Sequence, residues 1–302
     1  MTNTRRHFLQ TLAAGAVASR LTAAEENRFR LAICNETFVD WSFERAFEFA
    51  RECGYTGIEF APFTMANDAS DISAQQRSEV RSQAEAAGLD VVGLHWLLAK
   101  TEGYYLTSPD ADVRNRTTEY IKTLARLCRE LGGGVLVFGS PQQRNLLPGV
   151  SHAEATDYAV SVIEAALPVL EETEVVIALE PLGPAEGDFL LTADEGVSMV
   201  ERIGSPQIRL HLDVKAMSSE AEPVADVVRD HAEHLQHFHA NDPNRQGPGF
   251  GEMDFVPIFQ TLHDINYDGW VSVEVFDYEP GVERLVKESI EYMRACEEKI
   301  VT

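Results

Sequence analysis

Four metal-binding residue types recur at the ends of short apolar runs in the second half of the chain. They are Glu180, Asp213, His239 and Glu274, in the segments EVVIALEPL, IRLHLDVKA, LQHFHAND and WVSVEVFD. Three carboxylates and one imidazole make a mostly oxygen donor set, which suits Mn²⁺, Mg²⁺ or Co²⁺ better than structural zinc. One carboxylate after a strand is commonly a helix cap or a solvated charge. Four metal-binding side chains, each near the end of one of four successive strand-like runs, predict a metal site.

The spacing of these four residues indicates what must position them. They lie 33, 26 and 35 residues apart, about one strand plus one helix each time. In a parallel (β/α)₈ barrel the carboxyl ends of the strands converge on one face, where active sites lie. Each apolar run is therefore expected to be a strand that delivers its polar residue to that face. His211 and His237 share an alternation face with their neighbours Asp213 and His239, and are expected to support the site rather than bind metal.

From residue 30 onward, eight strand-like runs alternate with eight stretches of helical periodicity. The predicted strands are 30–34, 57–60, 91–95, 135–138, 175–179, 208–212, 235–239 and 270–275. The predicted helices are 43–53, 74–87, 113–131, 153–170, 193–203, 224–231, 255–265 and 281–296. This alternation predicts an α/β fold, a single (β/α)₈ TIM barrel spanning 28–298. An open doubly wound sheet is disfavoured because no glycine-rich phosphate loop follows the first strand.

The N-terminal segment predicts export. Arg5 and Arg6 form a twin-arginine pair, followed by a modest apolar stretch and small residues near Ala24. Residues 1–25 are thus interpreted as a twin-arginine signal that sends the protein to the periplasm. An unprocessed leader would leave it cytoplasmic.

Charge narrows the range of partners. The chain of 302 residues carries 49 acidic against 25 basic residues, a formal net charge of −24. This balance disfavours nucleic acid, because phosphate neutralisation needs clustered Lys and Arg. The hydrophobic fraction of 44% can build a full core, and no run is expected to span a membrane as a folded helix. The sequence leaves open whether the protein forms a homo-oligomer.

The motifs of the second half carry a family resemblance. LEPL at 179–182, LD at 212–213, HFHAND at 237–242 and the loop NRQGPGFGE at 244–252 are its most specific parts. The chain from 31 to 296 resembles the xylose isomerase-like TIM barrels called sugar phosphate isomerase/epimerases. Within them it is similar to the ketose 3-epimerase and hydroxypyruvate isomerase branch.

The resemblance implies roles for individual residues. Glu180, Asp213, His239 and Glu274 would hold one divalent ion, often Mn²⁺, and the two glutamates would be the catalytic acid/base pair. Glu186, Arg245 and His95 fall at substrate-binding positions. The family commonly has a substrate-binding histidine three residues after the aspartate, where this chain has Ala216. Because Ala216 replaces this histidine, a common ketohexose is in doubt as the substrate. The neighbouring Lys215 could take over the role of the histidine.

The implied function is a metal-dependent isomerase or epimerase that acts on a ketose or related keto-sugar through an enediolate. A lyase or hydrolase of 3-keto sugars would begin with the same proton abstraction at the same site, and it stays an alternative. A metal nuclease of the endonuclease IV type shares the barrel. That reading requires more histidines for several metal ions and a basic face.

Overall fold

The computed structural model describes residues 29–301. Within this range eight parallel strands close into a barrel, in which β1 pairs with both β2 and β8. The strands are β1 Arg30–Cys34, β2 Gly57–Phe60, β3 Asp90–Leu94, β4 Val135–Phe138, β5 Val176–Leu179, β6 Ile208–Asp213, β7 Leu235–Ala240 and β8 Trp270–Val273. The predicted TIM barrel is confirmed, and each predicted strand lies within two residues of an observed one.

The α-helices of the described residues lie between successive strands, except the last helix, which follows β8. They are α1 Phe43–Cys53, α2 Ala74–Ala87, α3 Ala111–Leu131, α4 His152–Glu164, α5 Leu167–Thr173, α6 Ala193–Ile203, α7 Val214–Met217, α8 Val224–Asp230, α9 Val256–Asp264 and α10 Val282–Glu297. Local signals explain their ends. Ser73 and Gln76 form a capping box at the start of α2, and Gly88 ends it in the left-handed conformation at φ 73°.

One predicted helix is wrong. The stretch 153–170 forms two helices, α4 and α5, with a break at Ala165 and Ala166. Pro168 lies in the first turn of α5, where its missing N–H is tolerated. In one continuous helix the same proline would remove a hydrogen bond and clash with the preceding turn. The short helix α7, directly after β6, was not predicted.

The barrel interior is polar toward the carboxyl ends of the later strands. Asp213 is level with His239, which is level with Ser272, and His211 is level with His237 one layer deeper. All five side chains are at most 1% exposed. Buried polar groups are costly unless they are paired or metal-bound. The fold therefore places buried polar side chains, which need hydrogen-bond or metal partners, at the end of the barrel where active sites lie.

The predicted twin-arginine export signal cannot be compared with the structure. It comprises residues 1–25, which lie outside the described residues, and it stays a prediction. Within residues 29–301, no helix has the length and apolar character needed to cross a membrane.

Candidate active site

A cavity of about 460 Å³ opens at the carboxyl end of the barrel. The loops after β3, β4, β5, β7 and β8 line it with His95, Trp96, Ala99, Lys100, Gly139, Ser140, Pro141, Gln142, Gln143, Glu180, Leu182, Glu186, Arg245, Glu274 and Phe276. Cavities of about 300–1,000 Å³ are the usual size for small-molecule sites. Every substrate-binding residue implied by the family resemblance lines this cavity, as do both implied catalytic glutamates.

The four predicted ligands come together at the base of this cavity. Glu180 directly follows β5, Asp213 ends β6, His239 lies in β7, and Glu274 follows β8. Donor atoms of Glu180, Asp213 and His239 lie within 4.8 Å of one another. Glu274 Oε2 is 3.1 Å from His239 Nδ1. The strand ends thus bring together side chains separated by up to 94 residues of sequence.

A fifth residue belongs to the same group. A ring nitrogen of His211 lies within 4.8 Å of the donors of Glu180, Asp213 and His239. Both ring nitrogens of His211 are buried without a hydrogen-bond partner among the described residues. Burial, reinforced by the charges of His239 and His237, lowers the pKa of His211 well below its ordinary value. A neutral imidazole beside the carboxylates is a candidate ligand, so His211 lies closer to the metal group than the sequence indicated.

The electrostatics of the donor group fit a divalent cation. Burial, together with the charges of Glu274 and Asp213, raises the pKa of Glu180 well above its ordinary value. Burial likewise raises the pKa of Asp213. Buried carboxylates of like charge disfavour one another's ionised form, and an opposite charge nearby relieves both effects. The hard oxygen donors and the imidazole suit a hard or borderline divalent ion.

Neighbouring groups fix the orientation of the donors. Asn241 Nδ2 donates to Asp213 Oδ2 at 2.5 Å, and the backbone N–H of Ala216 donates to Asp213 Oδ1 at 2.7 Å. On the other side of the cavity, Trp96 Nε1 donates to Glu274 Oε1 at 2.8 Å. Partners of this kind hold ligating carboxylates in place and are a regular feature of metal sites.

Glu59 of β2 orients the histidines from beneath. Its Oε2 lies 2.8 Å from His237 Nε2, and its Oε1 lies 3.2 Å from His239 Nε2. Burial alone would raise the pKa of Glu59, but the charges of both histidines outweigh it and hold this pKa well below its ordinary value. A carboxylate at Nε2 favours the proton there, so Nδ1 of His239, which lies 3.1 Å from Glu274 Oε2, is the nitrogen placed among the other donors. His237 thus takes the supporting place that the sequence predicts.

His95 has a buried partner that the sequence did not reveal. Its Nε2 lies 2.7 Å from Glu36 Oε2, and Glu36 sits in the single 3₁₀ turn after β1. Burial opposes a charged imidazole, but the charge and hydrogen bond of Glu36 raise the pKa of His95 to about 9. His95 therefore lies at the wall of the cavity with its ring held in place by Glu36.

The residue next to the Ala216 departure points into the site. Lys215 Nζ is ion-paired with Glu186 Oε1, and it lies 4.7 Å from the ring centroid of Phe276. Glu186 and Phe276 both line the cavity. Ala216 itself donates its backbone N–H to the side chain of Asp213, which caps the start of α7. The sequence could not decide whether Lys215 faces the cavity, and the short helix α7 is what turns it there.

Arg144 is a further residue near the donor group that the sequence did not indicate. Its side chain is wholly buried and donates to the carbonyl oxygens of Phe138 at 3.0 Å and Leu190 at 3.4 Å. Burial lowers the pKa of Arg144 to about 10, against the favourable charge of Glu180. A buried guanidinium beside Glu180 helps to hold that carboxylate ionised. Arginine in a loop carries no periodic signal from which this role could be read.

Gly139 leaves the space that Glu180 occupies, and this gives a direct prediction. A Cβ at residue 139 would stand 2.1 Å from Glu180 Oε2, whereas a Cβ at Gly134 would meet nothing within 4 Å. Because Glu180 must move to admit the methyl group, Gly139→Ala is expected to weaken metal binding and turnover by about tenfold or more, the loss typical of disturbing a ligand's support. Gly134→Ala is the matched control, measured by metal titration and steady-state rates. Equal metal affinity in the two variants would show that Glu180 does not need this space.

Comparison with known proteins agrees with this geometry. Residues 47–296 match the family model described as xylose isomerase-like TIM barrel. The D-psicose 3-epimerase of Enterocloster bolteae is 37% identical over 111 residues, which is 37% of each chain. The probable ketose 3-epimerase of Synechocystis sp. is 26% identical over 78% of this chain and 79% of its own.

Solved structures show the same fold. The crystal structure of D-psicose 3-epimerase with D-tagatose from Clostridium cellulolyticum H10 superposes with a TM-score of 0.77 at 20% identity. The match covers 88% of this chain and 99% of that one. The chain belongs to the xylose isomerase-like TIM barrel family.

Proposed function

We propose that this protein is a divalent-metal-dependent isomerase or epimerase of a ketose or related keto-sugar. The observation that carries the proposal is the placement of Glu180 and Glu274. Both line one cavity, and both adjoin the donor group completed by Asp213 and His239. Binding alone does not need two carboxylates beside the reacting carbon, whereas moving a proton between two faces or two carbons does.

The metal would be held by Glu180, Asp213, His239 and Glu274, with Mn²⁺ the first expectation and Mg²⁺ or Co²⁺ as alternatives. When bound, a divalent ion polarises a ketone carbonyl and stabilises the negative charge that develops when the neighbouring C–H is broken. The protein supplies the remaining parts of the reaction.

The chain's own residues move the proton. One of Glu180 and Glu274 removes it from the carbon next to the carbonyl. The other returns a proton to the opposite face, which inverts the centre, or to the adjacent carbon, which isomerises the sugar. Positioned acids and bases of this kind contribute about 10²- to 10⁴-fold to rate. Trp96 holds Glu274, and Gly139 leaves the space for Glu180, so each carboxylate is fixed before the substrate arrives.

The relatives named as ketose 3-epimerases support this reaction type, and the acidic chain argues against the endonuclease alternative. Of the residues that would grip the substrate, Arg245 and His95 offer donors to hydroxyl oxygens. Glu186 is paired with Lys215, so the two together present both an acceptor and a donor. This pair occupies the side of the cavity where the family's histidine is missing, so simple ketohexoses are expected to turn over poorly.

The proposal is tested by product analysis on a panel of ketoses and 3-keto glycosides. The chelated protein is expected to be inactive, and Mn²⁺ or Co²⁺ is expected to restore conversion of at least one substrate to its epimer or isomer. An unsaturated product in place of an epimer would favour the lyase alternative. Cleavage of abasic DNA with no sugar turnover would contradict the proposal and support the nuclease.

We also propose that residues 1–25 form a twin-arginine export signal and that residues 28–298 form the TIM barrel as one catalytic domain. A periplasmic enzyme would meet extracellular sugars directly. Replacing Arg5 and Arg6 with lysine should retain the protein in the cytoplasm on cell fractionation. Unchanged periplasmic recovery would count against the twin-arginine route.

A further inference from the structure

Two cations stand at the rim of the cavity. Lys100, on the loop after β3, and Arg245, on the loop after β7, line the cavity and are exposed. The chain has only five lysines and a net charge of −24, so cations at this one place are notable. Within residues 29–301 neither side chain takes part in an ion pair or a side-chain hydrogen bond. Asp277, whose backbone N–H donates to the carbonyl oxygen of Arg245, accepts a side-chain hydrogen bond from Gln246 instead, at 2.9 Å.

An aromatic strip connects the two cations. We use this name for Phe63, Trp96 and Phe276, whose successive ring centroids are 5.9 and 6.0 Å apart. Lys100 Nζ lies 4.3 Å from the centroid of Phe63, and Arg245 Cζ lies 6.0 Å from that of Phe276. Contact with an aromatic face attracts a cation without neutralising its charge. The strip therefore holds both side chains in place and leaves their charges available to a ligand.

The backbone conformation is also unusual at both Lys100 and Arg245. Lys100 has φ 60° and Arg245 has φ 75°, in the left-handed region that residues other than glycine seldom adopt. Such conformations persist where the surrounding structure enforces them, and they cluster at ligand sites. The third nearby cation, Lys215, is already paired with Glu186. Among residues 29–301, Lys100 and Arg245 are thus the rim cations without an ion pair. The pKa of Asp277 is lowered by the hydrogen bond from Gln246 and also by the charge of Arg245.

We propose that this rim binds a carboxylate at the end of the substrate remote from its carbonyl, so that the preferred substrates are keto-sugar acids such as ketohexuronates. The inference rests on the proposed function and names its substrate class. The carbonyl end reaches the metal group, the carbon chain passes the aromatic strip, and the carboxylate lies at the rim, where the guanidinium of Arg245 binds it and the charge of Lys100 attracts it. The guanidinium of Arg245 presents a planar fork that matches the two oxygens of a carboxylate.

The backbone favours a carboxylate over a phosphate. TIM barrels that bind phosphate commonly use free N–H groups in the loops after strands seven and eight. Here the N–H groups of Phe276 and Asp277 both donate to the carbonyl oxygen of Arg245, at 2.9 Å each. With those donors occupied, the rim offers a phosphate dianion side-chain charge but no backbone cradle at this place.

The test compares substrates that differ only at the remote end. The full-length, Mn²⁺-loaded protein is assayed with D-fructose, D-fructuronate and D-fructose 6-phosphate at low and high ionic strength. We expect kcat/KM for the uronate to exceed that for the neutral ketose by about tenfold or more, as charge-assisted hydrogen bonds allow. High salt should shrink this ratio, because the rim is exposed and screened. A phosphate ester that matches or exceeds the uronate would overturn the assignment of a carboxylate.

Substitutions of the two rim cations test whether they cause the preference for the uronate. Lys100→Gln and Arg245→Gln should each lower the ratio of uronate to neutral kcat/KM, and Lys100→Arg should restore most of it. Lys287→Gln is the matched control, because Lys287 lies on α10 with its side chain 62% exposed and is paired with Glu291 on the same helix. A ratio near one in the wild type, or one unaffected by both rim variants, would refute the inference while turnover itself upheld the proposed function.

A binding measurement keeps the two proposals separable. Methyl α-D-glucuronide and methyl α-D-glucoside differ only in a carboxylate, and neither has a ketone to react. Calorimetry should show the glucuronide binding about tenfold more tightly, with the difference lost in Arg245→Gln. If no ketose reacted yet this difference held, the proposed reaction would fail and the anion site would stand. Equal binding of the two glycosides would count against the anion site.

Discussion

Replacing Glu180 or Glu274 with glutamine is expected to lower kcat by about 10²- to 10⁴-fold while much of the bound metal is retained. The amide keeps an oxygen that can ligate the ion, but it cannot accept or return the substrate proton. Both carboxylates should behave alike, since each serves one half of the transfer. Steady-state rates and metal content, measured on the same preparations, separate catalysis from ligation.

Glu291→Gln is the matched control, because Glu291 lies on α10 with its side chain 60% exposed, far from the donor group in the fold. It should leave both rate and metal content unchanged. A Glu180→Gln or Glu274→Gln protein that kept near wild-type turnover would show that this glutamate is a ligand only.

Asp213→Ala and His239→Ala are expected to abolish tight metal binding, and with it all activity. Each removes a buried donor from a small group whose members lie within 4.8 Å of one another. His239→Ala also leaves Glu59 without one of the two imidazoles that hydrogen-bond to it, the other being His237. Removing one member of a buried polar network leaves its partners unsatisfied, so some loss of stability should accompany the loss of metal. Elemental analysis gives the occupancy, and thermal unfolding gives the stability.

His263→Ala and Asp264→Ala supply matched controls of the same residue types. Both lie on α9 with partly or largely exposed side chains, 32% and 55%. They should keep about one divalent ion per chain. Full metal occupancy in the Asp213→Ala protein would contradict the assignment of Asp213 to the metal site.

The sequence predicted the barrel because strands and helices of the right length alternate along it. The ligands could be found for a related reason. Glu180, Asp213, His239 and Glu274 each sit at or just after the end of a strand, so their place along the chain also fixes their place in space. In a closed parallel barrel every strand end points to the same face. Knowing the fold class was enough to bring the four together.

Other parts of the site depend on contacts that no local pattern encodes. Glu36 meets His95 across 59 residues, from a single turn that carries no periodicity. Arg144 and Gly139 lie on the loop after β4, where composition gives no hint that one is buried and the other leaves room for a ligand. The direction of Lys215 depended on α7, a helix of four residues that is too short to show a hydrophobic period.

The most direct test of the central claim is deuterium incorporation from D₂O into an unreacted or epimerised ketose, followed by NMR. We expect metal-dependent exchange at the carbon next to the carbonyl. The exchange should be lost on chelation, restored by Mn²⁺, and strongly reduced in Glu180→Gln and Glu274→Gln. Product formation without solvent deuterium at that carbon, or exchange that persists without a metal ion, would contradict proton transfer by these two carboxylates.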